Sequence, residues 1–440
     1  MKILHTSDWH VGKILKGRAR IDEHIAVLAD IVAVARDERP DLVIVAGDLF
    51  DTAAPTPDAT RVVTRALSAL RAASGHVLAI GGNHDNGAAL DALRAWAEAA
   101  GITLRGTVRE RAADHLVSGV TEGGEAWRVV ALPFLSQRYA VRATEMFELT
   151  AAEANQTYAD HIGRMLAKLT ADPPADTVNI IAAHLTVVGA KAGGGERDAH
   201  TIQAYAVPST VFPSTTHYAA LGHLHRRQQV LGPCPVHYSG APLAVDFGEE
   251  ENTPSVTIVE VGTSNAARTR DVPIASAVPL RTVRGTLDEL SRVDTGGPGW
   301  LRVFIKEHAR AGLRETVQEM LPNALEVRID PEMLVEVDTA KTRAPRQPGR
   351  GANELFAEYL TAQGHTDPAV AELFERLHAE VEAGEAAAVA GRDGGGAVPA
   401  ARSGDTPEPS GTAAGDGSAG TGARRGRAAE PAAVGGGEGA

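Results

Sequence analysis

The chain has 440 residues, enough for two or three domains, and an ordinary apolar share of 43%. Its formal net charge is −13, from 56 acidic against 43 basic residues, which excludes a nucleic-acid footprint spread over the whole surface. Cys234 is the only cysteine, which excludes an intrachain disulfide and fits a reducing compartment.

The N-terminus, MKILHTSDWH, has no apolar stretch of signal-peptide length, and no run of about 18 apolar residues follows anywhere. A cytoplasmic protein with no membrane span is therefore expected. From residue 1 to about 270, short apolar runs alternate with helical spacing. KILHT (2–6), LVIVAG (42–47) and HVLAIG (76–81) read as buried strands, and 22–38 and 58–73 read as the helices between them. RVVALPF (128–134), VNIIAAH (178–184), YAALGH (218–223) and SVTIVEV (255–261) continue the strands. Strand–helix–strand repeats of this kind imply a parallel or mixed sheet with covered faces.

Residues 275 to 340 read as a smaller α/β module: strand LRTVRG, helix TLDELSRV, strand WLRVFIKE, helix AGLRETVQEML, strand ALEVRID. KTRAPRQPGRG (341–351) reads as a linker. Two helical patterns follow, at 353–362 and 368–383. The first lines up Leu355, Phe356, Tyr359 and Leu360. The second carries one apolar stripe of Val370, Leu373, Phe374, Leu377 and Val381, with Asp367 as N-cap and Pro368 as first residue. Residues 387–440 hold no Leu, Ile or aromatic residue, so that tail cannot bury enough apolar surface to offset its ordering entropy and is expected to be disordered.

The side chains able to do chemistry cluster at the ends of the expected strands. SDWH brings Asp8 and His10, GDLFD brings Asp48 and Asp51, GNHD brings Asn83, His84 and Asp85, AAHL brings His184, and GHLH brings His223 and His225. The C-terminal strand edge is where open α/β sheets bind ligands. Residues i and i+2 of an extended segment point the same way, so Asp8 with His10, and His223 with His225, can each face one ion. Taken singly, each cluster is more simply a turn, a helix cap or a pair of ordinary histidines. Their coincidence at five strand ends is not explained that way. Mixed carboxylate, amide and imidazole donors suit divalent transition ions, and Asp48 is the natural bridge between two of them.

In this order, D-x-H, G-D, G-N-H-D, H and G-H-x-H resembles the calcineurin-like metallophosphoesterases. The longer strings MKILHTSDWHVGKILKGRARIDEH, AGDLFDTAAPTPDAT and LGHLHR are similar to one branch, the SbcD-type nuclease subunits. The resemblance covers about 1–386 and implies an α/β fold: a metallophosphoesterase β-sandwich flanked by helices, with a small α/β cap domain and C-terminal helices. It implies a nuclease domain at 1–270, a DNA-binding cap at 275–340, a linker at 341–351, ATPase-docking helices at 352–386 and a disordered tail at 387–440.

It further implies that Asp8, His10 and His225 bind one ion, that Asn83, His184 and His223 bind a second, and that Asp48 bridges them. The metals implied are two divalent ions, manganese being the usual one. His84 takes no ion in that scheme; it contacts the scissile phosphate and protonates the leaving oxygen as the catalytic acid. Asp85 is expected to orient a neighbour or shape the turn. Asp51, where some relatives carry histidine, is left outside the catalytic set, and His5, His24 and His217 are read as structural. The implied activity is 3′–5′ exonuclease on double-stranded ends and endonuclease on single strands and hairpins, in DNA repair, recombination and replication. The implied partners are DNA, an SbcC-like SMC-type ATPase and a second copy of the chain as a homodimer. The competing readings are a small-substrate phosphodiesterase or phosphatase on the same metal core, and a scaffold that only recruits the ATPase.

Overall fold

The computed structural model describes residues 1–136, 151–196, 206–293, 297, 299–333, 352–362 and 368–378. The chain divides into two compact units, Met1–Ala344 and Pro345–Ala440. The first unit opens with β1 (Lys2–Thr6), a hairpin of β2 (Ile14–Leu15) and β3 (Arg18–Ala19), α1 (Ile21–Glu38), β4 (Leu42–Val45), α2 (Pro57–Ala72), β5 (His76–Ile80), α3 (Gly87–Ala92), α4 (Arg94–Ala99) and β6 (Ile102–Arg105). It continues with β7 (Leu116–Val120), β8 (Ala126–Leu132), α5 (Ala151–Leu169), β9 (Thr177–His184), β10 (Thr186–Val187), β11 (Ala206–Val207), β12 (Tyr218–Gly222), β13 (Gln228–Val230), β14 (Val236–Tyr238), β15 (Ser255–Gly262) and β16 (Asn265–Pro273). A third stretch contains β17 (Leu280–Gly285), α6 (Leu287–Leu290), β18 (Trp300–Ile305), α7 (Leu313–Met320) and β19 (Ala324–Ile329).

Two six-stranded sheets form a sandwich. The first has the order β16-β15-β1-β4-β5-β6, and the second β13-β14-β12-β9-β8-β7. In the first, β1, β4, β5 and β6 run parallel and β15 and β16 add antiparallel on one side; in the second, β14, β12, β9 and β8 run parallel and β13 and β7 close the two edges antiparallel. The faces that meet are largely apolar: Ile3, Ile44, Leu78 and Ile80 from one sheet oppose Val129, Ile180, Ala182 and Ala220 from the other. The outer face of the first sheet is covered by α1 and α2 through Val27, Leu28, Ile31, Val63, Leu67 and Leu70, residues three or four apart as one helical stripe requires. The outer face of the second is covered by α5 through Tyr158, Ile162, Leu166 and Leu169. With both faces of each central strand buried, those strands read as continuous apolar runs rather than alternating ones.

The helices start where the local chemistry allows. Thr56 caps α2 by accepting from Ala59 N at 3.2 Å, and Pro57 takes the first turn, where its missing N–H costs nothing. α1 stops at Arg39, which adopts φ +47 directly before Pro40. The expected strands over 42–47 and 76–81 end earlier, at Val45 and Ile80, because Gly47 and Gly81 already belong to the turns that carry the site. The helix expected over 286–293 is a single turn, Leu287–Leu290, held by a capping box between Thr286 and Glu289.

β17, β18 and β19 form a separate three-stranded parallel sheet whose own core is Leu290, Leu301, Val303, Ile305, Leu313, Val317 and Leu321. It joins the sandwich through Leu15, Ala244, Phe247 and Leu280. Arg18 lies over the Trp300 ring at 4.8 Å, and Trp300 Nε1 donates to Glu23 at 2.9 Å.

In the second unit, α8 (Ala352–Ala362) and residues 368–378 are helical, and the Phe356 and Phe374 rings stack with centroids 4.0 Å apart. The proposed cap at Asp367, Val381, the 341–351 linker and the 387–440 tail lie outside the described residues. Among the described residues no helix is long and apolar enough to cross a membrane.

Candidate metal centre and active site

β1, β4 and β5 of one sheet and β9 and β12 of the other deliver their C-terminal ends to one place. Asp8, His10, Asp48, His184, His223 and His225 meet there, none more than 2% exposed, with Asn83 and His84 beside them. The loops after β1 and β4 run side by side: Asp8 N donates to Gly47 O and His10 N to Asp48 O, both at 3.0 Å. Four of the eight described non-glycine residues with positive φ are in this set: Asp8 (+55), His10 (+48), Asp48 (+49) and His223 (+99). Such conformations cost of order 1–3 kcal/mol each and persist where surrounding bonds hold them, characteristically at functional sites. Gly47, with φ +101, lies so close to the His184 ring that a Cβ would overlap it. Gly82 lies equally close to the Asp48 carboxylate.

The side chains fall into two groups with Asp48 between them. In the first, His10 Nε2 and His225 Nε2 are 3.0 Å apart, and donor atoms of Asp8, His10 and His225 lie within 4.8 Å of one another. Asp8 is held by His223 N on Oδ1 at 2.9 Å and by Ser7 Oγ on Oδ2 at 2.6 Å. In the second, Asn83 Oδ1 is 2.8 Å from both His184 Nε2 and His223 Nδ1. Asp48 Oδ2 stands 3.6 Å from His10 Nε2 and 3.5 Å from His184 Nε2, while Oδ1 accepts from His84 N at 2.8 Å.

This arrangement calls for positive charge. His184 Nδ1 donates to Ala46 O at 2.8 Å, which leaves the Nε2 lone pair facing Asn83 Oδ1. Two acceptors at 2.8 Å repel unless a proton or a metal ion lies between them. Likewise His225 Nδ1 donates to Glu249 Oε1 at 2.6 Å, so its Nε2 lone pair is turned toward His10. Burial opposes ionisation of Asp48, but His184 and His10 outweigh it and hold the carboxyl well below the usual range. Burial pulls His184 down, yet Asp48 raises it to about 9; burial pulls His225 down, yet Glu249 raises it to about 10. Burial drives Asp8 up and His10 down to about 3. The raised values of His184 and His225 put protons where cations would otherwise sit; ions in place of those protons would leave neutral imidazoles, and imidazoles, carboxylates and an amide together fit divalent transition ions.

His84 Nδ1 donates to Asp51 O at 2.8 Å, and its ring meets His10 edge-to-face at 4.6 Å. A nitrogen of His84 also lies within 4.8 Å of ligand atoms of His10 and Asp48, so the ring stands at the rim of the same cluster. Asp85 does not face the cluster's donors. Its carboxylate accepts from Gly82 N and Phe50 N at 2.9 Å and Leu49 N at 3.2 Å, tying the loops after β4 and β5 together. Burial, and then the charge of Asp48, push Asp85 up to about 7. Asp51 Oδ1 lies 3.5 Å from His10 Nδ1 and 3.3 Å from Lys13 Nζ; burial opposes its ionisation, but these two partners hold it down at about 2.

His5, His24 and His217 stand away from the cluster. His5 Nε2 donates to Leu221 O at 3.1 Å and Nδ1 accepts from Tyr218 Oη at 3.0 Å, which links β1 to β12 across the sandwich. His24 Nδ1 bonds Arg20 O at 2.8 Å, and His217 Nδ1 accepts from Asn179 N at 3.0 Å. Sequence reasoning missed two carboxylates next to His225. Glu249 opens the run EEEN (249–252), which reads as a solvated surface, and Glu196 follows three glycines, which read as a loop. Only the fold brings them to the site.

The calcineurin-like phosphoesterase family model matches residues 1–226. The chain is similar to the D component of the SbcCD nuclease of Bacillus subtilis, with 33% identity over 324 residues, spanning 72% of this chain and 81% of the relative. The corresponding protein of Rhodobacter capsulatus is 34% identical over 296 residues, spanning 64% of this chain and 71% of the relative. That of Escherichia coli K12 is 28% identical over 320 residues, spanning 69% of this chain and 78% of the relative. A buried cluster of His, Asp and Asn that could hold metal ions at the strand ends of a two-sheet α/β sandwich, a family match over half the chain and relatives aligned over most of their length lead to one conclusion: the chain belongs to the calcineurin-like phosphoesterase family, in its branch of SbcD-type nuclease subunits.

Proposed function

We propose that this chain is a two-metal DNA nuclease, a 3′–5′ exonuclease on double-stranded ends and an endonuclease on single strands and hairpins, acting with an SbcC-type ATPase in DNA repair and recombination. The observation that carries the reading is the position of Asp48 Oδ2, 3.5–3.6 Å from one imidazole of each ligand group. Asp8, His10 and His225 would hold one ion, Asn83, His184 and His223 the other, and Asp48 would bridge them; manganese is the metal proposed. Such a pair supplies Lewis-acid polarisation of the phosphodiester and lowers the pKa of water. The chain's own residues do the rest. The backbone carbonyl of Asp51 keeps one proton on His84 Nδ1, so it is the imidazolium form, with its second proton on Nε2, that gives that proton to the leaving oxygen and is left as the neutral imidazole. Asp85 holds the loop that presents it.

The α/β module at 275–340 is proposed as a cap that binds DNA, and 1–270 as the nuclease domain. The helices within 352–386 are proposed to dock on the ATPase, and the chain to act as a homodimer. Exposed Tyr359, Val370, Leu373 and Leu377 on the two described helical segments favour docking, since they are apolar side chains left facing solvent. Bound cations also answer the acidity of the chain, because they set the local field where the phosphate sits.

The test is purified protein with manganese on labelled duplex DNA, on hairpin DNA and on a p-nitrophenyl phosphodiester. Cleavage of DNA with release of nucleotides from 3′ ends is expected. Hydrolysis of the small ester alone would replace this reading with a small-substrate phosphodiesterase.

A further inference from the structure

Glu249 is only 1% exposed, yet it has no place in the ligand set. One oxygen accepts from His225 Nδ1 at 2.6 Å and the other from Val245 N at 3.0 Å. The chain shapes itself around this carboxylate. Gly195 passes so close that a Cβ would overlap Glu249 Oε1, Gly194 lies against the Gly248 backbone, and Gly193 packs on His225 Cβ. Glu196 then accepts from the backbone of His225 at 2.8 Å and from Gly193 and Gly194 at 2.5 and 2.7 Å. The run of three glycines is thus explained by what it must pass.

The two ligand groups differ in how their histidines are supported. His184 Nδ1 donates to a neutral carbonyl, that of Ala46, whereas His225 Nδ1 donates to a carboxylate. A carboxylate fixes the tautomer and also makes the imidazole a stronger donor to a cation.

We propose that Glu249 is the positioning residue of His225, and that it governs cation affinity in the Asp8–His10–His225 group without governing the Asn83–His184–His223 group. This rests on the reading that His225 holds an ion, and the experiment separates the two. Manganese(II) is titrated calorimetrically into the metal-free full-length protein, and bound metal is counted after gel filtration. In Glu249→Gln one of two binding steps should weaken about 10-fold, and in Glu249→Ala or Gly195→Ala by up to about 100-fold, the range seen when partners of metal-bound histidines are lost. His225→Ala should lose that same step, and His184→Ala the other. Both steps unchanged in the Glu249 variants, while His225→Ala loses one, would overturn the role of Glu249 alone. Retention of both steps in His225→Ala would overturn the ligand assignment beneath it. Equal weakening of both steps in Glu249→Gln would also overturn the proposal, since it would mark a general structural role. If Glu249→Ala fails to fold, Glu249→Gln decides, because its amide oxygen still accepts from Val245 N.

Discussion

Asp48 is the residue proposed to join the two halves of the centre. Its Oδ1 accepts from His84 N, and its Oδ2 stands between His10 and His184. Asp48→Ala should therefore lower the affinity for both ions by at least ~100-fold and abolish nuclease activity. Metal analysis checks this, and full occupancy in the variant would rule out the bridge. His84 is different, because Asn83 rather than His84 is assigned to an ion. His84→Gln should keep both metals and lose turnover by about 10²-fold or more, the usual contribution of general acid–base catalysis. Wild-type turnover with normal metal content would remove His84 from the chemistry. Asp85 shows why neighbouring polar residues need not share a role. In GNHDN the carboxylate binds three backbone N–H groups, whereas the amide and imidazole beside it face the cluster.

The strand ends carry the site and the short helices of the second unit carry the proposed docking. The turns after β1 and β4 interlock through backbone bonds, Asp8 N to Gly47 O and His10 N to Asp48 O, so the position of each of these ligands depends on the strand beneath it and on the loop beside it. The helices pose a separate question. Phe356 and Phe374 stack on each other, whereas Leu373 is 46% and Leu377 50% exposed. These two leucines are four residues apart, on one helical face. Leu373→Glu with Leu377→Glu leaves the ring stack in place and puts two charges on the face proposed to enter an ATPase groove. It should abolish co-purification with the ATPase while the isolated chain keeps manganese-dependent cleavage of single-stranded DNA. Undiminished co-purification would place the docking elsewhere.

Two buried histidines of the sandwich, His5 and His237, favour the neutral form. Burial, and then the nearby His237, drive His5 down to about 3; burial, and then Arg227, drive His237 down to about 4. The unfolded chain takes up these protons near pH 6.5, but the folded chain does not. Folding is therefore unpenalised above pH 6.5, and stability falls as pH drops from there toward the folded values. Each histidine contributes a slope of about 1.4 kcal/mol per pH unit within that window. His5→Gln should remove about one proton's worth of slope between pH 6.5 and 4.5 in urea unfolding. An unchanged slope would mean that His5 does not titrate in this way. The His5 ring joins β1 to Tyr218 and Leu221 on the facing sheet, so His5→Gln should also lower stability at neutral pH, by about 1–3 kcal/mol, the usual cost of disturbing buried hydrogen-bonded groups.

Much of this was readable along the chain. The seven apolar runs stand at strands because each is buried on both faces, and burial of that kind leaves a continuous apolar signature. The residues with metal-binding chemistry stand at or directly after the ends of those runs, so their gathering at the C-terminal strand ends followed from the parallel topology, while only the packing of one sheet on the other brought the two sets together. Polar edge strands such as β13, with three residues, and β16, with nine, carry little periodic signal in the sequence, because few of their residues are apolar and none is fully buried. Helices α3, α4 and α5 were also passed over. Sheet partners were beyond reach for the same kind of reason: β15 pairs with β1 across some 250 residues, and only long-range packing selects that neighbour. The clearest case is Glu249. In sequence it is one glutamate of three in a row. In the fold, the segment after β14 returns beneath His225 and buries that carboxylate alone. Residue type and local spacing can announce a ligand, but the residue that aims it comes from a distant part of the chain, and its role exists only once tertiary packing has excluded water from around it.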